Sequence, residues 1–256
     1  EMYAPVSPPP CFHPLRPASL FSPLRIPIFL RLGSCTLEVG QPCMLRQTFL
    51  FLSRRRRLRQ WFETSRHAGL FTSRFIAGRR LEDVMRVAGQ LHAANLLATV
   101  DHLGENVTTA AEAHSSRLAI EKTLDAIAAS SLPATISIKL TQFGLDLSDS
   151  LCLDNVSALA RKAALIGSRV EIDMEASEYV DRTLAIVEKL HASFACVRCV
   201  LQAYLYRTLD DLHRMNALGI PVRLCKGAYN EPASIAFPEK ARVDENYAAL
   251  SRLLLD

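Results

Sequence analysis

None of the ten glycines belongs to a Gly-x-Gly pair, so the chain can assemble neither a dinucleotide-binding fingerprint nor a phosphate-cradling loop. Long apolar runs are missing as well. Outside the proline-rich start, the longest uncharged stretch is 87–100, which Gln90, His92 and Asn95 interrupt. It falls short of the ~18 apolar residues of a spanning helix, and the expectation is that this is no integral membrane protein. Paired cysteines are scarce too. The seven are an odd number at irregular spacing, poor material for a disulfide framework and better suited to a reducing cytoplasm. Only Cys196 and Cys199 have the two-residue gap of a metal or redox pair. No second pair accompanies them, and they lie in the apolar run 194–201, so they read as parts of a buried strand.

What the chain does have is unevenly spread. Hydrophobic residues make up 49% of its 256 positions, enough for one or two ordinary domains. Nine of the 13 prolines fall before Met44, in a stretch with no amphipathic period, so residues 1–43 read as unfolded or as non-native translation. Met44 is then a candidate start. Charge divides in the same way: 44–80 holds ten Lys/Arg against one acid, whereas 81–256 holds seventeen against twenty-three. In 44–78, Phe49, Leu50, Leu52, Leu58, Trp61 and Phe62 alternate with Arg54, Arg55, Arg56, Arg57 and Arg59. That is a basic helical stretch able to meet anionic lipid or nucleic acid, or simply to pack its apolar side on the main domain. A second amphipathic helix is expected over 81–94, completing an N-terminal helical segment, 44–94.

From residue 95 onward, β-rich runs alternate with helical ones. The strands expected are 96–101, 135–140, 170–174, 200–204 and 222–225, with helix starts marked by Asp154, Ser177 and the Thr208/Asp211 pair. Five β/α units in a row argue for a parallel sheet or barrel. The period-two alternation favours the barrel. Ile136, Ile138 and Leu140 oppose Thr135, Ser137 and Lys139; Val170, Ile172 and Met174 oppose Glu171 and Asp173; Leu201 and Ala203 oppose Gln202 and Tyr204; Val222 and Leu224 oppose Arg223. An apolar face toward helices and a polar face toward a lumen is barrel patterning, and Lys139, Asp173, Gln202 and Arg223 are expected to converge at its C-terminal mouth. The fold class is thus α/β, a (β/α)8 TIM-type barrel of which about five units are present, preceded by helices.

Several of these segments resemble one known family. The runs Ser137-Ile138-Lys139-Leu140-Thr141-Gln142-Phe143-Gly144-Leu145, Glu171-Ile172-Asp173-Met174-Glu175, Leu201-Gln202-Ala203-Tyr204-Leu205-Tyr206-Arg207-Thr208 and Arg223-Leu224-Cys225-Lys226-Gly227-Ala228-Tyr229 are similar to the strand motifs of proline dehydrogenases. Asp101-His102-Leu103-Gly104-Glu105 and Ala236-Phe237-Pro238-Glu239-Lys240 match the same pattern, and the likeness covers roughly 44–256. Cys225 stands where a valine is expected.

The resemblance implies FAD above the C-terminal face, hydride transfer from L-proline and formation of Δ1-pyrroline-5-carboxylate. It implies Asp173 and Arg223 as catalytic residues and Lys139 as the cation for the substrate carboxylate. Met174, Gln202, Arg223, Leu224, Cys225 and Lys226 would border the cofactor. It further implies delivery of electrons to a membrane quinone, with peripheral docking on the inner leaflet through 44–80 and no nucleic-acid partner. The family's last three strands and its final helix, which clasps proline with a tyrosine and an arginine pair, would lie beyond Asp256, so residues 1–256 alone are expected to be inactive. Two other readings are open on the residues: a Schiff-base lyase using Lys139 or Lys226, and a basic adaptor using 44–80.

Overall fold

A computed structural model describes residues 76–78, 80–104 and 106–255, all within one compact unit. Expectations for residues 1–75, including the proline-rich start, the Met44 boundary and the arginine-rich helix, lie outside the described residues. Of the basic stretch, 76–78 are described and are not helical.

Helix α1 (Leu81–Ala93) leads into β1 (Ala98–Asp101). Four repeats follow: α2 (Ala110–Ser130) with β2 (Ala134–Ile138), α3 (Asp149–Leu165) with β3 (Val170–Ile172), α4 (Val180–Ser193) with β4 (Val197–Gln202), and α5 (Thr208–Ala217) with β5 (Val222–Cys225). Helix α6 (Lys240–Leu255) comes after β5. The strands are all parallel and lie side by side in chain order, β1-β2-β3-β4-β5. Repeated strand–helix–strand crossovers of one hand curl such a sheet into a barrel wall, here a half-barrel with β1 and β5 as its edges among the described residues.

The outward faces of the strands carry Ile136, Ile138, Val170, Ile172, Val197, Cys199 and Leu201, all buried under the helices. Ile120 and Leu124 of α2, Val156 and Leu159 of α3, Leu184 and Leu190 of α4, and Leu212 of α5 meet them in one cluster. Each such side chain stabilises the fold by about 1.5–3 kcal/mol on burial.

Several boundaries differ from the sequence expectation. The first strand begins at Ala98 because Asn95 takes a left-handed φ of 59° to end α1, leaving Leu97 80% exposed. The second and third end at Ile138 and Ile172, where the chain turns: Leu140–Phe143 is a 3₁₀ turn at the barrel mouth. The fourth starts three residues early, at Val197, because Arg198 points into a lumen that can pair its charge.

The helix starts also need correction. Asp154 is inside α3, whose cap is Ser148. The Ser177 amide and hydroxyl both donate to Glu231 at 2.7 Å and open a 3₁₀ turn before α4. Thr208 donates its hydroxyl to the Gln202 carbonyl, and Asp211 accepts from Arg207 at 2.8 Å, so neither caps α5. Helix α2 has a reciprocal cap that the sequence reading did not mark. Thr109 accepts from the Glu112 amide at 3.2 Å while Glu112 accepts from the Thr109 amide at 3.2 Å. Of the cysteine pair, Cys199 is buried in β4, where burial pushes its thiol up to about 12; Cys196 precedes the strand.

Candidate active site

The lumen face of the half-barrel is largely polar because most of the alternate residues that face it are polar, Val200 of β4 being an apolar exception. In register, Thr99 of β1 pairs with Thr135 of β2, Ser137 of β2 with Glu171 of β3, and Glu171 with Arg198 of β4. Their side chains form one network with Arg223 of β5. The Arg223 Nη1 lies 2.7 Å from Glu171 Oε2, a close ionic contact and not a linear hydrogen bond. Its Nη2 donates to Asp173 Oδ1 and, at 3.2 Å, to the Ser137 hydroxyl. The Ser137 hydroxyl also donates to Asp173 at 2.7 Å.

Depth along the lumen sets the character of each group. The Glu171 side chain is 3% exposed, Asp173 18% and Arg223 35%, so exposure grows toward the mouth. Burial raises the Asp173 carboxyl above its ordinary range, and the Ser137 hydrogen bond and the Arg223 charge oppose that rise. Lys139 follows Ile138, whose register partner Ile172 precedes Asp173 and whose carbonyl accepts the Asp173 amide, so Lys139 and Asp173 leave their strands side by side, while Asp101 is the register partner of Ser137.

Three of the four residues expected to converge therefore do so. Gln202 does not join them: its amide donates to the Glu175 carbonyl at 2.8 Å, because β4 ends there and the chain turns into α5. Met174 is buried in the main cluster next to Asp173. Leu224 and Cys225 are half-buried on β5, and burial raises the Cys225 thiol. The Lys226 side chain turns away to α6, with its ammonium 2.7 Å from Asp244 and 5.7 Å from the centre of the Tyr247 ring.

Sequence reasoning put Glu171 on the polar face but gave it no role, and it missed Glu175. The Glu175 carboxylate accepts the Thr141 amide at 3.0 Å and the Thr141 hydroxyl, pinning the turn after β2. Gln142 of that turn lies 3.2 Å from His102 Nδ1 across the rim. After β5, Gly227 has φ 108° and passes so close to the Tyr204 ring that an added Cβ would lie 2.2 Å from it.

A half-barrel with paired carboxylates and cations at its strand ends can hold an anionic ligand beside a fixed guanidinium. The sequence model of the proline dehydrogenase family matches residues 84–256, which include every group named above. Proline dehydrogenase 1 of Bacillus subtilis is 37% identical over 212 residues, covering 83% of this chain and 70% of that protein. Proline dehydrogenase of Deinococcus radiodurans is 34% identical over 182 residues, covering 69% of this chain and 59% of its own length. The crystal structure of proline utilization A from Bdellovibrio bacteriovorus superposes with a TM-score of 0.66 at 22% identity, covering 73% of this chain and 24% of the larger one. That structural likeness bears on the barrel-type fold alone; by the family model over 84–256 and relatives at 34–37% identity, the chain belongs to the proline dehydrogenase family of oxidoreductases.

Proposed function

We propose that the protein oxidises L-proline to Δ1-pyrroline-5-carboxylate with FAD as hydride acceptor, the electrons passing on to a membrane quinone. The observation that carries this reading is Arg223, held at both Nη atoms by carboxylates while a third of its side chain stays exposed. A cation so fixed and yet open suits a planar acceptor that becomes more negative; the half-buried Cys225, on the same face of the strand, offers it an apolar border, and Leu224, whose side chain packs toward the core, would border it through its backbone.

FAD, when bound, supplies the two-electron acceptor; the substrate loses a hydride from the ring and a proton from its nitrogen. Arg223 favours the charge that arrives with the hydride. Asp173 holds Arg223 from the mouth side. Lys139, near Asp173 at the end of β2, meets the substrate carboxylate. Met174, Gln202 and the backbone of Lys226 complete the border of the cofactor in this reading. Docking on the inner leaflet would fall to 44–80; among the described residues no helix is long and apolar enough to cross a membrane.

The lyase reading is not favoured. A Schiff-base amine has to be unpaired to attack a carbonyl, whereas Lys226 is ion-paired with Asp244. The test uses the gene product as the cell makes it. Bound flavin should bleach on addition of L-proline and recover on addition of a soluble quinone. Absence of flavin, or a borohydride-trapped lysine adduct, would overturn the proposal.

A further inference from the structure

We infer that Glu171 is a positioning residue for the reaction, a carboxylate on the lumen floor that fixes the plane of the Arg223 guanidinium before substrate arrives. The inference rests on the proline-oxidation reading above and concerns how its key cation is held.

Glu171 is in the middle of β3 with a side chain 3% exposed. A carboxylate so placed persists only where several donors meet it. Those donors come from all four other strands. Oε1 accepts the Thr99 hydroxyl of β1 at 3.4 Å, the Thr135 hydroxyl of β2 at 3.2 Å and Arg198 Nη1 of β4 at 3.4 Å. Oε2 takes no hydrogen bond from these and faces Arg223 Nη1 of β5 at 2.7 Å. One oxygen ties the carboxylate to the sheet and the other is left for Arg223.

Asp173 stands two residues closer to the mouth and is more exposed, so Glu171 lies beneath it and acts through Arg223, not on a ligand. Asp173 alone would hold one Nη and let the guanidinium pivot about it. With Glu171 below and Asp173 above, each Nη has its own carboxylate, and the rotamer freedom of a long side chain is spent before the reaction begins. Arg198 does not compete with Arg223 for this contact, because it engages the other oxygen.

The test uses Glu171→Gln, which removes the charge, and Glu171→Asp, which keeps it but withdraws the carboxylate by one C–C bond of about 1.5 Å and opens the 2.7 Å contact. In flavin-free gene product labelled with ¹⁵N-arginine, Arg223 should show restricted guanidinium rotation in the parent and averaged signals in both variants. In the flavin-loaded protein, the single-turnover rate of flavin reduction by proline, per bound flavin, should fall at least tenfold, with proline affinity changed less than twofold. A purely structural role would lower the melting temperature and the folded fraction while leaving the rate per flavin and the Arg223 signals as they were; that result in either folded variant overturns the inference. Failure of proline to reduce the parent's flavin would instead refute the proposed reaction, and the arginine signals would still decide the positioning role.

Discussion

Replacing Arg223 by Met keeps an aliphatic stem on β5 and removes the guanidinium that bridges Glu171 and Asp173. Two effects of different size follow. For stability, breaking a buried ion pair costs about 3–5 kcal/mol, but Glu171 keeps Arg198 and two hydroxyls, and Arg223 is 35% exposed. A loss of about 2 kcal/mol is expected, or ~4–8 °C in melting temperature at ~2–4 °C per kcal/mol for a domain of this size. For the reaction, one preorganised charge removed from a developing anion costs about 3 kcal/mol, roughly a hundredfold in rate. The two are separable, since a stability loss of that size leaves nearly all molecules folded and does not alter the rate per bound flavin. Stopped-flow bleaching by proline measures one and circular-dichroism melting the other. Adding Glu171→Gln to Arg223→Met should recover none of the rate, because the cation is still missing. Bleaching at the parent rate in Arg223→Met would refute the reasoning.

Lys139→Ala should weaken a proline-like carboxylate inhibitor about 10–100-fold, the worth of a charge-assisted contact of roughly 1.5–3 kcal/mol, and an unchanged inhibition constant would remove Lys139 from the substrate site. For Asp173→Asn the expected change is in pH dependence. Burial raises the folded carboxyl, so the folded state binds that proton more tightly than the unfolded chain does. Stability from this group is present below the ordinary carboxylate range and is lost as pH rises through the raised folded value. Melting temperatures of parent and variant over a pH series should differ by a curve of that sign, and a difference of the opposite sign would contradict it. Thr109→Ala should cost about 1 kcal/mol by undoing the reciprocal cap of α2, while Thr109→Ser should be nearly neutral; equal melting temperatures for all three proteins would show the cap to be idle.

The barrel patterning was legible because parallel strands under helices leave a period-two trace. Thr135, Ser137, Glu171, Asp173 and Arg223 all face the lumen as their spacing implies. Arg198 hid the start of β4, since a charged residue in an apolar run reads as a boundary until its partner Glu171 is known to stand opposite. Gln202 shows a different limit. Its amide bonds a main-chain oxygen, that of Glu175, and main-chain acceptors leave no mark on residue type. The helix starts failed for a related reason: Thr208 and Asp211 are good capping residues, but the Gln202 carbonyl of β4 claimed one and the Arg207 side chain at the head of α5 the other. Glu171 itself was visible as a polar residue on the right face. Only the strand register, which brings donors from four other strands to one carboxylate, gives it a task.

The order of the strands has a consequence for how the chain is made. Each strand lies against the one synthesised before it, with register partners such as Thr99 and Thr135, Ile136 and Val170, Val170 and Val197, and Val200 and Arg223 separated by 36, 34, 27 and 23 positions. No described strand has to wait for a distant one. A chain leaving the ribosome can add each new unit to an existing edge, and since loop-closure entropy grows only slowly with length, the four additions carry similar entropic costs. The network around Glu171 matures on the same schedule. Thr99 and Thr135 are in place before Glu171 is translated, Arg198 arrives next, and Arg223 is the last to be synthesised, so the cation proposed for the chemistry enters a lumen whose anchoring carboxylate has already been fixed by its neighbours.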